Sequence, residues 1–345
     1  MKIENYTIEK NNPVFIIAEL SANHNGSLET AKETIRAAKR AGANCIKIQT
    51  YTADTITIDS DKEDFLIKDT IWKGRRLYDL YQEASTPWEW HKEMMNIAKQ
   101  EGLIFFSSPF DKTAVDFLET LDVPAYKVAS FEITDIPLIK YIASKNKPII
   151  LSTGIAERSD IELALEACRE MGNNDIALLK CTSSYPSTIN EANICMVKDL
   201  AERYNVISGL SDHTIGITAP IVATCFGAKI IEKHLILNDS IGGPDSSFSM
   251  NEEEFSKMVK AVRKAERAIG IVNYDLNEKQ IKAKDFSRSL YVVDKIKAGQ
   301  LITEKNVRSI RPGFGLHPKY LESILGKKAI KDLEKGDAFS KDMIE

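Results

Sequence analysis

Cysteine is scarce and scattered. The chain of 345 residues holds five, Cys45, Cys168, Cys181, Cys195 and Cys225, with no C-x-x-C pair among them. That spacing excludes a zinc ribbon and argues against a disulfide framework, and it suits reduced thiols acting as small buried hydrophobes. Long apolar runs are missing too. No window approaches the ~18 to 20 consecutive apolar residues of a membrane helix, and the opening "MKIENYTIEK" lacks the basic start and apolar core of a secretory signal. The expectation is a chain of the cytoplasm with no membrane partner. Nor is there an excess of one charge: 46 basic and 50 acidic residues are well mixed and leave −4 formally, which offers no broad footprint for nucleic acid. The densest basic cluster, "KGRR" at 73–76, reads as a solvated loop. No G-x-G-x-x-G follows the first apolar run; "SANHNG" stands there instead and weakens a dinucleotide-binding reading.

What is present is a repeated plan. Eight short apolar runs occupy 14–20, 45–50, 103–108, 125–130, 148–153, 176–182, 206–212 and 229–235. Helical patterns lie between most of them, at 27–43, 86–102, 111–122, 135–146 and 158–172, with a last one at 251–270. In the first, Ser27 is placed to cap the N-terminus and Gly42 to stop the helix. Strands of near-continuous hydrophobicity alternating with helices predict a parallel sheet covered by helices, most economically a closed (β/α)8 barrel, with an open doubly wound sheet as the competitor. After 270 the texture changes. Residues 1–270 read as the barrel, 271–286 as a polar linker, and 287–345 as a small turn-rich domain.

Active sites of such barrels sit at the C-terminal ends of the strands. Polar residues end every run here: Glu19; Lys47 and Gln49; Ser107 and Ser108; Lys127 and Ser130; Ser152 and Thr153; Lys180 and Thr182; Ser211, Asp212 and His213; Glu232, Lys233 and His234. Alternation puts Glu232 and His234 on one face with Lys233 on the other, and Ser211 with His213 on one face. Two of only five histidines therefore project from adjacent strand ends, where neutral imidazoles suit a divalent metal with open positions. The competing reading is a pair of hydrogen-bonded core histidines. Lys47 and Lys127 are cations among apolar strand residues, where a phosphate or carboxylate of substrate, or a buried pair with Glu19 or Glu232, must meet them. Serines at neighbouring strand ends add neutral donors, and Glu19 is a carboxylate able to move protons. Residue chemistry alone leads to a metal-assisted aldol-type or phosphate-releasing enzyme.

The motifs "AELSANHNGS", "AGANCIKIQTY", "SSPF", "AYKVAS", "ILSTG", "CTSSYP", "GLSDHT" and "IEKH", with "GGPDSSFSM" and "RPGFGLHP", closely resemble the sialic acid synthase (N-acetylneuraminate synthase-like) family over nearly the whole chain. The resemblance implies a (β/α)8 TIM barrel followed by an antifreeze-like (SAF) domain, and a transferase that joins phosphoenolpyruvate to a C6 amino sugar with release of phosphate. Within the family, "AELSANHNG", the long segment after the second strand, "RSLYV" and "RPGFGLHP" are most similar to the pseudaminic acid synthase branch, whose sugar is 2,4-diacetamido-2,4,6-trideoxy-altropyranose. N-acetylneuraminate and legionaminate synthases are the alternatives, and a non-enzymatic carbohydrate- or ice-binding protein is a remote one. The resemblance further implies His213 and His234 as ligands of Mn²⁺, with Mg²⁺ or Co²⁺ in its place, and Glu19 as the proton-handling group. It assigns Lys47, Ser108, Lys127, Ser130, Ser152, Ser183 and Ser211 to phosphoenolpyruvate, and Gln49, Tyr185, Asp245 and Arg311 to the sugar. It also implies a domain-swapped homodimer in which Arg311 reaches the partner's sugar. Ser183 and Arg288 depart from the Asn and Phe usual in the sialic acid enzymes, which argues against N-acetylmannosamine as acceptor.

Overall fold

The computed structural model describes every residue from 1 to 345 and divides after Gly270 into two units, Met1–Gly270 and Ile271–Glu345. In the first, the expected closed barrel forms from β1 (Phe15–Glu19), β2 (Cys45–Thr50), β3 (Ile104–Pro109), β4 (Tyr126–Val128), β5 (Ile149–Ser152), β6 (Ile176–Cys181), β7 (Ile207–Asp212) and β8 (Ile230–His234), with β8 closing on β1. All pairings are parallel. Each strand feeds a covering helix: α1 (Leu28–Ala41), α2 (His91–Gln100), α3 (Lys112–Thr120), α4 (Ile136–Ala143), α5 (Arg158–Glu170), α6 (Met196–Tyr204), α7 (Thr218–Cys225) and α8 (Glu252–Ile269). The cause is local as well as global. Ser27 accepts the Thr30 amide at the start of α1, and Gly42 ends that helix with φ 94°, a left-handed geometry only glycine takes without strain. Apolar strand residues then have no polar face to show water, so burial between barrel interior and helix layer is their stable solution. No helix is long and apolar enough to cross a membrane.

Gly209 in β7 carries its own consequence. A methyl group there would run into the Ile230 carbonyl of β8 and the Leu179 side chain of β6. Gly209→Ala should therefore destabilise the barrel by about 1–3 kcal/mol or more. A thermal midpoint unchanged from wild type would show that the strands can spread to admit it.

The long excursion between β2 and α2 holds two short helices, Ala53–Ile56 and Leu77–Ala84. Its "KGRR" arginines are not free for an anion: Arg76 pairs with Asp59 at 2.7 Å and Asp79 at 2.6 Å, and Arg75 with Glu83 at 2.5 Å. The second unit has its own core of Leu290, Val292, Ile302, Val307 and Phe339 around the antiparallel pair β9 (Ser289–Val292) and β10 (Val307–Ile310). Within 271–286 a short helix, Glu278–Ala283, is closed by a capping box of Asn277 and Gln280.

Candidate active site

The inner faces of β1, β2, β4 and β8 bring four charges together at the C-terminal mouth of the barrel. Lys47 Nζ lies 2.6 Å from Glu19 and 3.9 Å from Glu232 Oε1, and Lys127 Nζ lies 3.7 Å from that same oxygen. All four side chains are nearly sealed, Glu19 at 1% exposure and Glu232, the most open, at 6%. Hydroxyls complete the cluster. Ser108 Oγ accepts from Lys47 at 3.2 Å, Ser152 Oγ accepts from Lys127 at 2.7 Å, and Ser211 Oγ donates to Glu232 at 3.0 Å. Ser130 Oγ accepts the Gly154 amide at 3.1 Å beside them. Gln49 donates to both Glu19, at 3.1 Å, and Ser21, at 3.0 Å.

Burial sets the electrostatics. It pushes the Glu19 carboxyl up to about 7, the Lys47 charge only partly opposing it. Burial also raises Glu232, but Lys127 and Lys47 outweigh it and hold that carboxyl below its ordinary value. Desolvation lowers Lys127 despite Glu232, whereas for Lys47 the two carboxylates outweigh desolvation and raise it. The two lysines are thus cations already matched to two acids.

His213 and His234 stand at the adjacent ends of β7 and β8, their ring centroids 5.4 Å apart. His213 Nδ1 lies 3.1 Å from the Thr182 carbonyl and 3.7 Å from Cys181 Sγ, which leaves Nε2 as the nitrogen free to take a ligand. His234 Nδ1 is buried without a hydrogen-bond partner, with Asp245 Oδ2 3.8 Å away. Burial and the charge of His213 hold His234 well below its ordinary pKa, so the ring is a neutral donor. For His213 burial acts the same way, but the Cys181 sulfur outweighs it and raises the pKa. Two imidazoles, one with an orphaned nitrogen, fit a divalent cation of the Mn²⁺ class. No three His, Cys, Asp or Glu side chains converge to hold an ion by themselves, so a bound ion keeps positions for water or substrate.

Tyr185 packs its ring 4.5 Å from His213, and Phe248 packs 5.0 Å from His234 and 5.1 Å from Tyr185. Ser183 Oγ lies 3.9 Å from Cys181 Sγ. Arg311 is exposed and belongs to the second unit. Not every strand-end polar residue joins the site. Ser107 turns outward, bonding Thr50 at 2.6 Å, which in turn meets His91 of α2 at 2.8 Å. Lys180 reaches the Cys181 carbonyl and Thr182, and Asp212 pairs with Lys233 behind the strands. Residues not singled out in the sequence enter instead. Cys181 faces inward, where burial pushes its thiol up but His213 outweighs that and holds it down at about 7. Trp72, from the excursion after β2, bonds the Pro244 carbonyl at 3.1 Å and lays its ring 5.8 Å from Tyr185. Period-two alternation within β6 would have placed Cys181 inside; an aromatic in a long loop carries no such signal.

Comparison with known proteins fits this arrangement. The model of the NeuB family matches residues 34–274, and that of the SAF domain matches 287–345. The chain belongs to the NeuB family. Among NeuB-family relatives, the pseudaminic acid synthase of Campylobacter jejuni subsp. jejuni (strain 81-176) is 51% identical over 98% of both chains. That of Helicobacter pylori is 48% identical over 96% of this chain and 98% of the other. The crystal structure of the N-acetylneuraminic acid synthetase from Leptospira borgpetersenii, solved with citrate, superposes with TM-score 0.73 at 29% identity, covering 82% of this chain and 94% of that one.

Proposed function

We propose that this NeuB-family chain is a pseudaminic acid synthase. It condenses phosphoenolpyruvate with open-chain 2,4-diacetamido-2,4,6-trideoxy-altrose to give a nine-carbon 2-keto acid and phosphate. One observation carries the reading: two buried lysines, two histidines and a carboxylate meet at one barrel mouth in a chain sharing half its residues with such synthases. Lys47 and Lys127 bind the anionic groups of phosphoenolpyruvate, with Ser108, Ser130, Ser152, Ser183 and Ser211 as neutral partners. Gln49, Tyr185 and Asp245 orient the sugar. His213 and His234 would hold Mn²⁺, which when bound polarises the aldehyde oxygen.

The residues then manage one bond exchange. C3 of the enolpyruvate attacks the aldehyde carbon, and the lysines hold the phosphate and carboxylate so that the enol face meets it. Water adds to the resulting cation at C2; Glu19 takes its proton, and the oxygen of the former aldehyde receives one in return. The C2–O bond to phosphate breaks as the C2 hydroxyl loses its proton, leaving the ketone. The reading extends to a cytoplasmic homodimer. Supporting it are five unpaired thiols and the exposed apolar run Ile271, Val272 and Tyr274, with exposures of 87%, 91% and 92%, which a second copy can cover. In that dimer Arg311 of a second copy serves the sugar's N-acyl group.

The test is phosphate release from phosphoenolpyruvate with Mn²⁺, run with the altrose-derived sugar and N-acetylmannosamine in parallel, with and without chelator. Chelator-sensitive release with the first sugar alone is expected. Release with the second alone keeps the reaction and replaces the acceptor; silence with both overturns the assignment.

A further inference from the structure

An ion pair that the chemistry does not use lies directly behind the two histidines. Lys233 sits between Glu232 and His234 on β8, and Asp212 between Ser211 and His213 on β7; the two face each other in register across the strands. Their side chains point into the helix layer, at 1% and 2% exposure. Lys233 Nζ is 2.6 Å from Asp212 Oδ2 and 2.5 Å from the Thr214 carbonyl, while Asp212 Oδ1 accepts the Thr214 amide at 3.0 Å. One ammonium group therefore grips the residues on both flanks of His213, from the position next to His234.

Stability alone does not account for this arrangement. A buried ion pair is often matched or bettered by apolar residues of similar volume, and its best-attested use is to fix register. On the inner faces Ser211 ties β7 to β8 through Glu232 one pair earlier, but neither that bond nor any other holds the His234 ring, whose Nδ1 has no hydrogen-bond partner. We infer that the Asp212–Lys233 pair is a positioning device that sets the spacing and orientation of His213 and His234 for a divalent cation. The inference rests on the two-histidine metal reading above. Its chemical logic is that of outer partners which orient ligating side chains, whose loss costs about 10- to 100-fold in metal affinity.

The experiment measures Mn²⁺ binding by the full chain, from the electron paramagnetic resonance signal of the free ion, alongside thermal midpoint and metal-free phosphoenolpyruvate binding by calorimetry. The double variant Asp212→Asn/Lys233→Met removes both charges together, and Asn keeps an acceptor for the Thr214 amide. It should fold, bind phosphoenolpyruvate within about twofold of wild type, and bind Mn²⁺ about 10- to 100-fold more weakly. A folded double variant with wild-type Mn²⁺ affinity overturns the inference. If that variant loses its fold, Asp212→Asn/Lys233→Gln replaces it and is read the same way, because no charge is left buried alone and the shorter neutral donor cannot span residue 212 and the Thr214 carbonyl together. Wild type and His234→Ala are the controls: Mn²⁺ binding that does not depend on His234 defeats the metal reading itself and the inference with it.

Discussion

His234→Ala is expected to abolish Mn²⁺-dependent phosphate release, by about 10³-fold or more, while the protein stays folded with a thermal midpoint within a few degrees of wild type. The size follows from what a bound cation contributes at a developing alkoxide, several kcal/mol, with each 1.4 kcal/mol worth tenfold in rate. The small structural effect follows from the geometry. His234 Nδ1 bonds nothing, so truncation there orphans no polar partner and costs only the ring's packing on Phe248. His213→Ala is the contrast: it breaks the contact to the Thr182 carbonyl and strips packing from Tyr185, so it should lose activity equally and stability noticeably more. Kinetics with added Mn²⁺ and a thermal melt on both variants decide the matter. Unfolding of both, together with wild-type turnover indifferent to metal, would show that they are core histidines.

Lys127→Met should damage two things at once. Glu232 loses one of its two neighbouring cations in a sealed site, which costs about 3–5 kcal/mol when a buried pair is broken from one side. Phosphoenolpyruvate loses a charge-assisted bond, worth about 1.5–3 kcal/mol, so its affinity should fall by about 10- to 100-fold. The second variant separates these effects. Lys127→Met/Glu232→Gln removes acid and base together, and it should recover most of the thermal midpoint without recovering substrate affinity. Calorimetry of phosphoenolpyruvate binding reads the difference. Recovery of both would make Lys127 merely the structural partner of Glu232.

Much of this was legible in the sequence because barrel strands impose a strict alternation and end on the functional side. Glu19, Lys47, Lys127, Ser211 and Glu232 were placed by that rule alone, and so was the separation of Lys233 from its neighbours. The same rule has a limit. Counting every polar residue at a strand end admitted Ser107, Lys180 and Asp212, which point into the helix layer and bond Thr50, Thr182 and Lys233 instead. Helix α7 carries apolar residues nearly all round, so no amphipathic period announced it. Partners across space were invisible for a different reason. Which acids would hold Arg76, or that Phe248 would wall both histidines, depends on loops whose course no short-range pattern fixes.

The lysines of the mouth are spoken for before substrate arrives, and this changes the character of recognition. A site of bare cations would act at a distance, drawing anions through solvent and weakening as ionic strength rises. Here each cation has a carboxyl group within 2.6 to 3.7 Å and almost no exposure to solvent. On the function proposed above, phosphoenolpyruvate would exchange partners with Glu19 and Glu232 rather than fill an electrostatic vacuum. Discrimination is thereby confined to the last few ångströms, where shape as well as charge is tested, and metabolites that are merely anionic gain nothing by being nearby.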